Sequence, residues 1–404
     1  MAYAEKRGKA WRVKYRKPDG TEGSASGFDT KTAALKYGRK LETAAAEGKF
    51  VDPKAGRTTV ADWAETWLAM IEVDELSDGT YRSRVRAQIL PRWGRVAVAD
   101  VRTSDHRIWM KQLRAKHSRN YAQNIEMTWR MMLDDAVVEG LVGVNPVPAA
   151  RRRRGKYEPE ESREDDYVYP TPLQALLLAE NARVIRGDVG YAMILTKAFT
   201  GMRLAEIAAL HREHCFVGPD RDPLDQVVQV EYQGHYLKGR GWTLRPPKYH
   251  SYRRLPIPPF LGDALHQVLE GHDNELAFPS ALGRPQRAEG QFYDLFWKPI
   301  VEGHDELPQI RGRRHRPAIP AVPGLSGMKP HGLRHGHRVW LEEGGIPAPA
   351  LDERMGHKVR DGSSVTTYRH VTPAMRRRIV SLLQREWEKA EKERRTLASQ
   401  KAPS

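Results

Sequence analysis

The feature that most constrains the fold is a break. From residue 151 the chain reads Arg-Arg-Arg-Arg-Gly-Lys-Tyr-Glu-Pro-Glu-Glu-Ser-Arg-Glu-Asp-Asp, and no apolar period crosses it before Pro170. A charge run with nothing to bury cannot pass through a hydrophobic core, so residues 151–170 are expected to be a linker between separately folded bodies. Length agrees, since single cores stop growing beyond roughly 250–300 residues and this chain has 404.

The preceding part divides again by pattern. Residues 1–57 hold 14 Lys/Arg against 7 Asp/Glu, and Trp11-Arg-Val-Lys-Tyr15 alternates apolar with basic residues before a Pro18-Asp-Gly20 turn. A helix capped by Thr30 should follow, giving a small basic sheet packed on one helix. Residues 58–150 carry only helical spacing. Thr59-Val-Ala-Asp62 resembles a capping box, a second run is expected from Thr80, and two more helices should start near Ser104 and Ser118. The last of these presents Ile125, Trp129, Met132, Leu133, Ala136 and Val137 on one face. Within this segment residues 80–119 hold 11 basic residues against Asp100 and Asp105, so one side of the bundle is positive.

From residue 171 helices mix with short strands around Gln226–Tyr232, Gly241–Leu244 and Tyr252–Ile257. Residues 303–326, rich in Gly, Pro and Arg, predict a long mobile loop. Pro373 to Ala398 predicts a charged helix with Ile379, Leu382, Leu383 and Trp387 as its apolar stripe. The expected class is mainly α with small antiparallel β-sheets.

Composition narrows the function. Sixty-seven Lys+Arg against 51 Asp+Glu leave +16, an excess that calls for a polyanionic partner. No stretch approaches the roughly 20 apolar residues of a spanning helix, and the first residues lack a secretory apolar core, so a cytoplasmic, non-membrane protein is expected. Cys215 is the single cysteine, which excludes an internal disulfide and an all-cysteine metal site.

Five short segments pair a cation with a turn or cap that would present it. In Thr200-Gly-Met-Arg203-Leu-Ala-Glu206-Ile-Ala-Ala-Leu210, Glu206 lies three residues after Arg203 on a helix start. Alone this spacing fits a surface ion pair. Pro247-Lys248-Tyr-His-Ser251-Tyr-Arg253-Arg-Leu-Pro-Ile257 puts Lys248 ahead of a strand, at the expected tip of a hairpin. His331-Gly-Leu-Arg334-His335 follows the helix-start signal Lys329-Pro330. Met355-Gly-His357 and Tyr368-Arg-His370 complete the set.

In this order the segments resemble the tyrosine recombinases, specifically the integrases of temperate phages and integrative elements, and the resemblance spans roughly residues 1–385. It implies a three-domain DNA clamp. Residues 1–57 would be an arm-type DNA-binding domain, 58–150 a helical core-binding domain, and 171–404 the tyrosine-recombinase catalytic domain with its tail helix. The basic linker would strap the clamp round a duplex. Arg203, Lys248, His331, Arg334 and His357 match the family's phosphate-activating residues, and Tyr368 matches its nucleophile. The interval from His357 to Tyr368 exceeds the family's usual spacing and implies an enlarged loop over Lys358-Val-Arg-Asp-Gly-Ser-Ser364.

The chemistry suits these residue types. Charge develops on the non-bridging oxygens of an attacked phosphodiester, and two guanidinium forks, Arg203 and Arg334, would neutralise it in a fixed plane. A phenol with an ordinary pKa of about 10 needs a proton acceptor, for which His331 is the candidate. Lys248 is the candidate acid for the departing 5′ oxygen, and His357 would donate to the phosphate. Tyr249 and Tyr252, beside Lys248, fit substrate contact or packing better than attack.

Neither a cofactor nor a metal is expected. His331/His335 and His211/His214/Cys215 each lack a fourth zinc ligand, and no acidic set suits a magnesium-dependent transposase. The resemblance implies double-stranded DNA with attachment-type sites as substrate and a homo-tetramer on it. An excisionase or host DNA-bending protein is a common companion in the family. The tetramer's contacts would include the tail stripe docking on a neighbour, the alternative being that the stripe packs on its own domain. Two other classes fit parts of the pattern: a sequence-specific DNA-binding protein without strand transfer, and a tyrosine-type topoisomerase.

Overall fold

The computed structural model describes residues 1–47, 50, 52, 55–147, 168–222, 225–237, 239–286, 292–309, 315–357 and 370–401. Most of the linker, the loop after His357, and Tyr368 lie outside the described residues. The chain divides into two compact units, Met1–Tyr157 and Glu158–Ser404. The fold is mainly α with small antiparallel sheets.

The first unit opens with an antiparallel sheet of β1 (Tyr3–Arg7), β2 (Ala10–Arg16) and β3 (Glu22–Phe28), in the order β1-β2-β3. Alternation along β2 buries Val13 and Tyr15 and leaves Arg16 exposed. Helix α1 (Lys31–Ala46) is capped by the Thr30 side chain and closes over Val13. Gly38 permits that approach, because a Cβ there would lie 2.6 Å from Val13 Cγ2.

The helical part follows as α2 (Val60–Met70), α3 (Glu75–Arg84), α4 (Leu90–Trp93), α5 (Thr103–Lys116) and α6 (Arg119–Val138). Thr59 caps α2 and Ser118 caps α6, as the spacing predicts. The second run begins earlier than Thr80, because Asp74 accepts from the Leu76 N–H and starts the helix there. A π-helical turn over Val85–Ile89 joins α3 to α4. The core is aromatic: Trp93 stacks on Trp129 at 5.5 Å, and Trp109 meets both edge-on.

The second unit is built around α7 (Pro172–Thr200), which starts with a full Thr171/Gln174 capping box and kinks at Arg186–Gly187. Helix α8 (Leu204–Ala208) follows a left-handed Gly201. Strands β4 (Cys215–Phe216), β5 (Val227–Val230) and β8 (Arg253–Pro256) form one sheet in the order β4-β5-β8. A separate hairpin pairs β6 (Gln233–Leu237) with β7 (Gly241–Arg245). The remaining helices are α9 (Pro259–Glu270), α10 (Lys298–Glu302), α11 (Gly332–Glu343), α12 (Ala348–Met355) and α13 (Pro373–Lys401).

Three expectations need correction. Lys248 is not at a hairpin tip; it lies on a short 3-10 turn, Lys248–His250, between β7 and β8, which belong to different sheets. The described part of 303–326 is packed. His304 bridges Ile319, Leu307 bridges Arg316, and Ile319, Val322 and Leu325 are buried. Such a segment has no period because single apolar anchors, each set by a turn, hold it. Finally, the α13 stripe is covered by its own unit: Ile379, Leu382 and Leu383 are buried in the main core, and Trp387 stacks on Phe260 at 4.1 Å with the rings 5° apart. Leu383→Ala should therefore cost about 3 kcal/mol of stability in the isolated chain. Urea unfolding followed through the second unit measures this, and a change confined to self-association would contradict it.

Candidate active site

The site begins at the carboxyl end of α7. Gly201 adopts φ +68, and a Cβ there would lie 2.7 Å from the His337 ring. The tight left-handed turn ends α7 and lets Arg203 start α8 as its N-cap. Arg203 donates its backbone N–H to Glu206 Oε2 at 2.9 Å and its Nη1 to Oε1 at 2.8 Å. The pair is not a surface one, since the Glu206 side chain is wholly buried.

Glu206 has a second guanidinium partner. Arg253, the first residue of β8, donates Nη2 to Oε2 at 2.7 Å and Nη1 to Oε1 at 3.2 Å. Burial alone would raise the Glu206 carboxyl, but the charges and hydrogen bonds of Arg253 and Arg203 outweigh it and hold the group at about 2. Arg253 also donates Nε to the Arg354 carbonyl at 3.0 Å, tying β8 to α12.

Helix α11 carries His331 at its N-cap and Arg334 one turn on. Arg334 is buried and donates Nη1 to the Gly201 carbonyl at 2.6 Å and Nη2 to the Met355 carbonyl. Burial, then the neighbouring Arg203, lowers its pKa to about 9, which leaves it a cation at neutral pH. Beyond α12 a left-handed Gly356 turns the chain, and His357 Nε2 lies 3.2 Å from Arg334 Nη2. Arg203 Nη2 reaches the Gly356 carbonyl at 3.5 Å. Burial and the charges of Arg334, Arg338 and Arg203 lower the His357 pKa, so its ring accepts from Arg334 in the free chain. Burial, and then the neighbouring Lys197, His335, Arg334 and Arg203, lower His331 to about 4.

The structure thus puts Arg334 against His357 and gathers Arg203 to the same place through the Gly356 carbonyl, beside the Gly201 and Met355 carbonyls that hold Arg334. His331 stands in the same cationic field. Among the described residues no side-chain contact brings Lys248 against the cluster; it lies three residues before Ser251, whose carbonyl accepts from Arg253 Nη1 at 3.1 Å and whose Oγ accepts from Arg203 Nη1 at 3.5 Å. The turn between them is strained: Tyr249 (φ 62) and His250 (φ 53) are the non-glycine residues with positive φ among the described residues. For a bulky side chain that region costs roughly 1–2 kcal/mol per residue. Tyr368, the sixth candidate, lies outside the described residues.

Sequence reasoning missed the supporting residues. Arg253 was visible only as part of a motif. Lys197 is buried, donates to the Met202 carbonyl at 3.1 Å, and is lowered to about 7 by burial and then Arg334. Arg354 donates Nε to His337 Nε2 at 2.9 Å and its two Nη groups to the Phe199 and Pro256 carbonyls. At the other histidine cluster, the Cys215 thiol donates to the His211 carbonyl at 3.6 Å and burial pushes it up to about 12, far from a thiolate ligand.

No protein-family model matches the chain, and no curated protein is similar to it. Solved structures do match. The Tn1549 transposon integrase in complex with a circular intermediate DNA aligns at 19% identity over 83% of this chain and 99% of that one, with a TM-score of 0.58. A lambda integrase dimer bound to a COC′ core site aligns at 15% identity over 89% of this chain and 92% of that one, with a TM-score of 0.51. A lambda integrase tetramer bound to a Holliday junction aligns at 16% identity over 87% and 94%, with a TM-score of 0.50. The chain shares the fold of these tyrosine recombinases over most of its length.

His337 must stay neutral to accept from Arg354, and burial, then Arg354, holds its pKa well below 6.5. Below 6.5 the unfolded chain therefore binds a proton that the folded chain refuses, and stability falls with pH. Between pH 6.5 and 4.5 each such histidine should remove up to about 1.4 kcal/mol per pH unit. His337→Gln keeps an acceptor without the titration, so unfolding midpoints measured at pH 7, 6 and 5 should fall less steeply in that variant. His331 preserves part of the slope.

Proposed function

We propose that this chain is a site-specific DNA recombinase that cuts and rejoins DNA through a 3′-phosphotyrosyl intermediate, integrating or excising a phage or mobile element. The observation that carries the reading is the convergence of Arg203, Arg334 and His357 on one patch of backbone at Gly201, Met355 and Gly356. Two guanidiniums held this way are a preorganised receptor for the non-bridging oxygens of one phosphodiester.

In this reading the Tyr368 oxygen attacks phosphorus and its proton passes to His331, whose ring is neutral at pH 7 and whose low basicity the incoming phosphate anion would raise. The bond from phosphorus to the 5′ oxygen breaks, and that oxygen takes a proton from Lys248. On DNA, His357 turns its ring to donate to the phosphate. The reverse attack by a 5′-hydroxyl reseals a strand without hydrolysis, and neither metal nor nucleotide takes part. The fold shared with integrases in DNA complexes supports a duplex substrate and a homo-tetramer. Residues 1–57 would bind arm-type sites, 58–150 the core site, and 171–404 would perform the chemistry.

Tyr368→Phe should abolish the covalent adduct on a nicked suicide duplex while leaving DNA affinity within a few-fold. An adduct carried instead by Tyr249 or Tyr252 would overturn the assignment of the nucleophile. A wild-type adduct excludes a pure DNA-binding protein, and exchange between two defined duplexes excludes a relaxing topoisomerase.

Deleting residues 1–57 should leave adduct formation intact and abolish binding to accessory sites. Each phosphate contact adds about 0.9 to the slope of log affinity against log salt. The intact chain should therefore show the steeper salt dependence on DNA that carries accessory sites, and the two proteins should coincide on a core site alone. Equal slopes on both DNAs would remove the arm-binding role.

A further inference from the structure

The Lys248–His250 turn is the one strained non-glycine segment among the described residues, and it carries a residue the proposed chemistry leaves unused. Tyr249 is half-exposed, and the Lys248 ammonium lies 5.0 Å from the centroid of its ring. A cation this close to a ring face is attracted by its quadrupole. The backbone that creates this pairing is fixed at both ends. The His250 N–H donates to the Pro247 carbonyl at 2.8 Å and closes the turn. Ser251, next in the chain, is held by Arg253 and Arg203. Gly356 packs against the same point, since a Cβ there would lie 3.0 Å from Ser251 Cβ and 3.1 Å from Arg253 Nη1.

Strain of this kind persists only where the surroundings over-determine it. Here they do, through the same arginine cluster that would receive the phosphate. A flexible lysine on an unstrained loop would wander among rotamers, whereas one parked against a ring is confined to one side of the turn. We propose that Tyr249 is a positioning residue for Lys248: its ring, presented by the strained turn, holds the ammonium in place for proton delivery to the leaving 5′ oxygen. This rests on the reading of Lys248 as the general acid, and the test separates the two.

The substrate is a nicked suicide duplex built on a site selected from random sequence by the full-length chain. It is made in two forms, one ordinary and one with sulfur replacing the 5′ bridging oxygen at the cleaved bond. A thiolate leaves without being protonated, because thiols ionise near 8.5, so the second substrate does not need the acid. Tyr249→Asn removes the ring but suits the left-handed backbone, so its thermal midpoint should not fall. It should cleave the ordinary duplex about fivefold more slowly, the scale of one exposed cation–π contact, and the sulfur duplex at the wild-type rate. Tyr249→Phe, which retains the ring, should restore the ordinary rate, and Tyr249→Asn should add nothing in a Lys248→Ala background. Slowing of Tyr249→Asn on both substrates, or on neither, would overturn the inference. If Lys248→Ala itself is not rescued by sulfur, the general-acid reading of Lys248 fails, and the inference falls with it.

Discussion

The second unit's arginine cluster depends on a carboxylate sealed from water between two guanidiniums. Removing Glu206 and two arginines from solvent carries a penalty that their attraction offsets only if the geometry is nearly ideal. Here each carboxylate oxygen is engaged by both arginines' side chains or backbone, and Arg253 spends its remaining donors on the carbonyls of Ser251 and Arg354. An apolar trio of similar volume would fill the space. It would not fix the plane of Arg203, which retains a partly exposed edge, and a phosphate receptor needs that plane fixed.

Arg334 is held by a different device. It is more buried than Arg253, yet beside the His357 ring its partners are carbonyls, Gly201 at the end of α7 and Met355 at the end of α12. Helix carboxyl ends carry partial negative charge, which favours a cation without neutralising it. A carboxylate in that position would cancel the charge that the proposed reaction presents to a phosphodiester. Arg354 is bound by the Phe199 and Pro256 carbonyls and a neutral His337, so the site is ringed by cations that dipoles, with one carboxylate, keep in place. Burial, and after it these neighbouring cations, make the histidines there titrate low.

Local physics was readable from the sequence, and tertiary partnership was not. Thr30, Thr59 and Ser118 cap the helices that their spacing announces, because a cap depends on residues three apart. The relation of Arg203 to Glu206 is likewise local, but nothing within three residues reveals that Arg253, 47 positions on, will seal the pair from water. Lys197, His337 and Arg354 left no signal, since a polar residue on the buried side of a helix has no pattern of its own. Periodicity identified the apolar face of α13 and could not say what covers it. The absence of any matching family model fits this division: what links the chain to integrases of 15–19% identity is a backbone.

The covered face of α13 matters to the site itself. Phe199, one residue before the end of α7, meets Phe260, Trp340 and Trp387 at centroid distances of 4.9, 5.3 and 6.1 Å. Its carbonyl accepts from Arg354, and two residues later the Gly201 carbonyl accepts from Arg334. The same short stretch of α7 is therefore gripped from one side by the tail helix and from the other by the arginines. Because packed interiors transmit small shifts instead of absorbing them, loosening Trp387 from Phe260 would displace the carbonyls on which two buried cations rely. The tail is part of the wall behind Arg334 and Arg354.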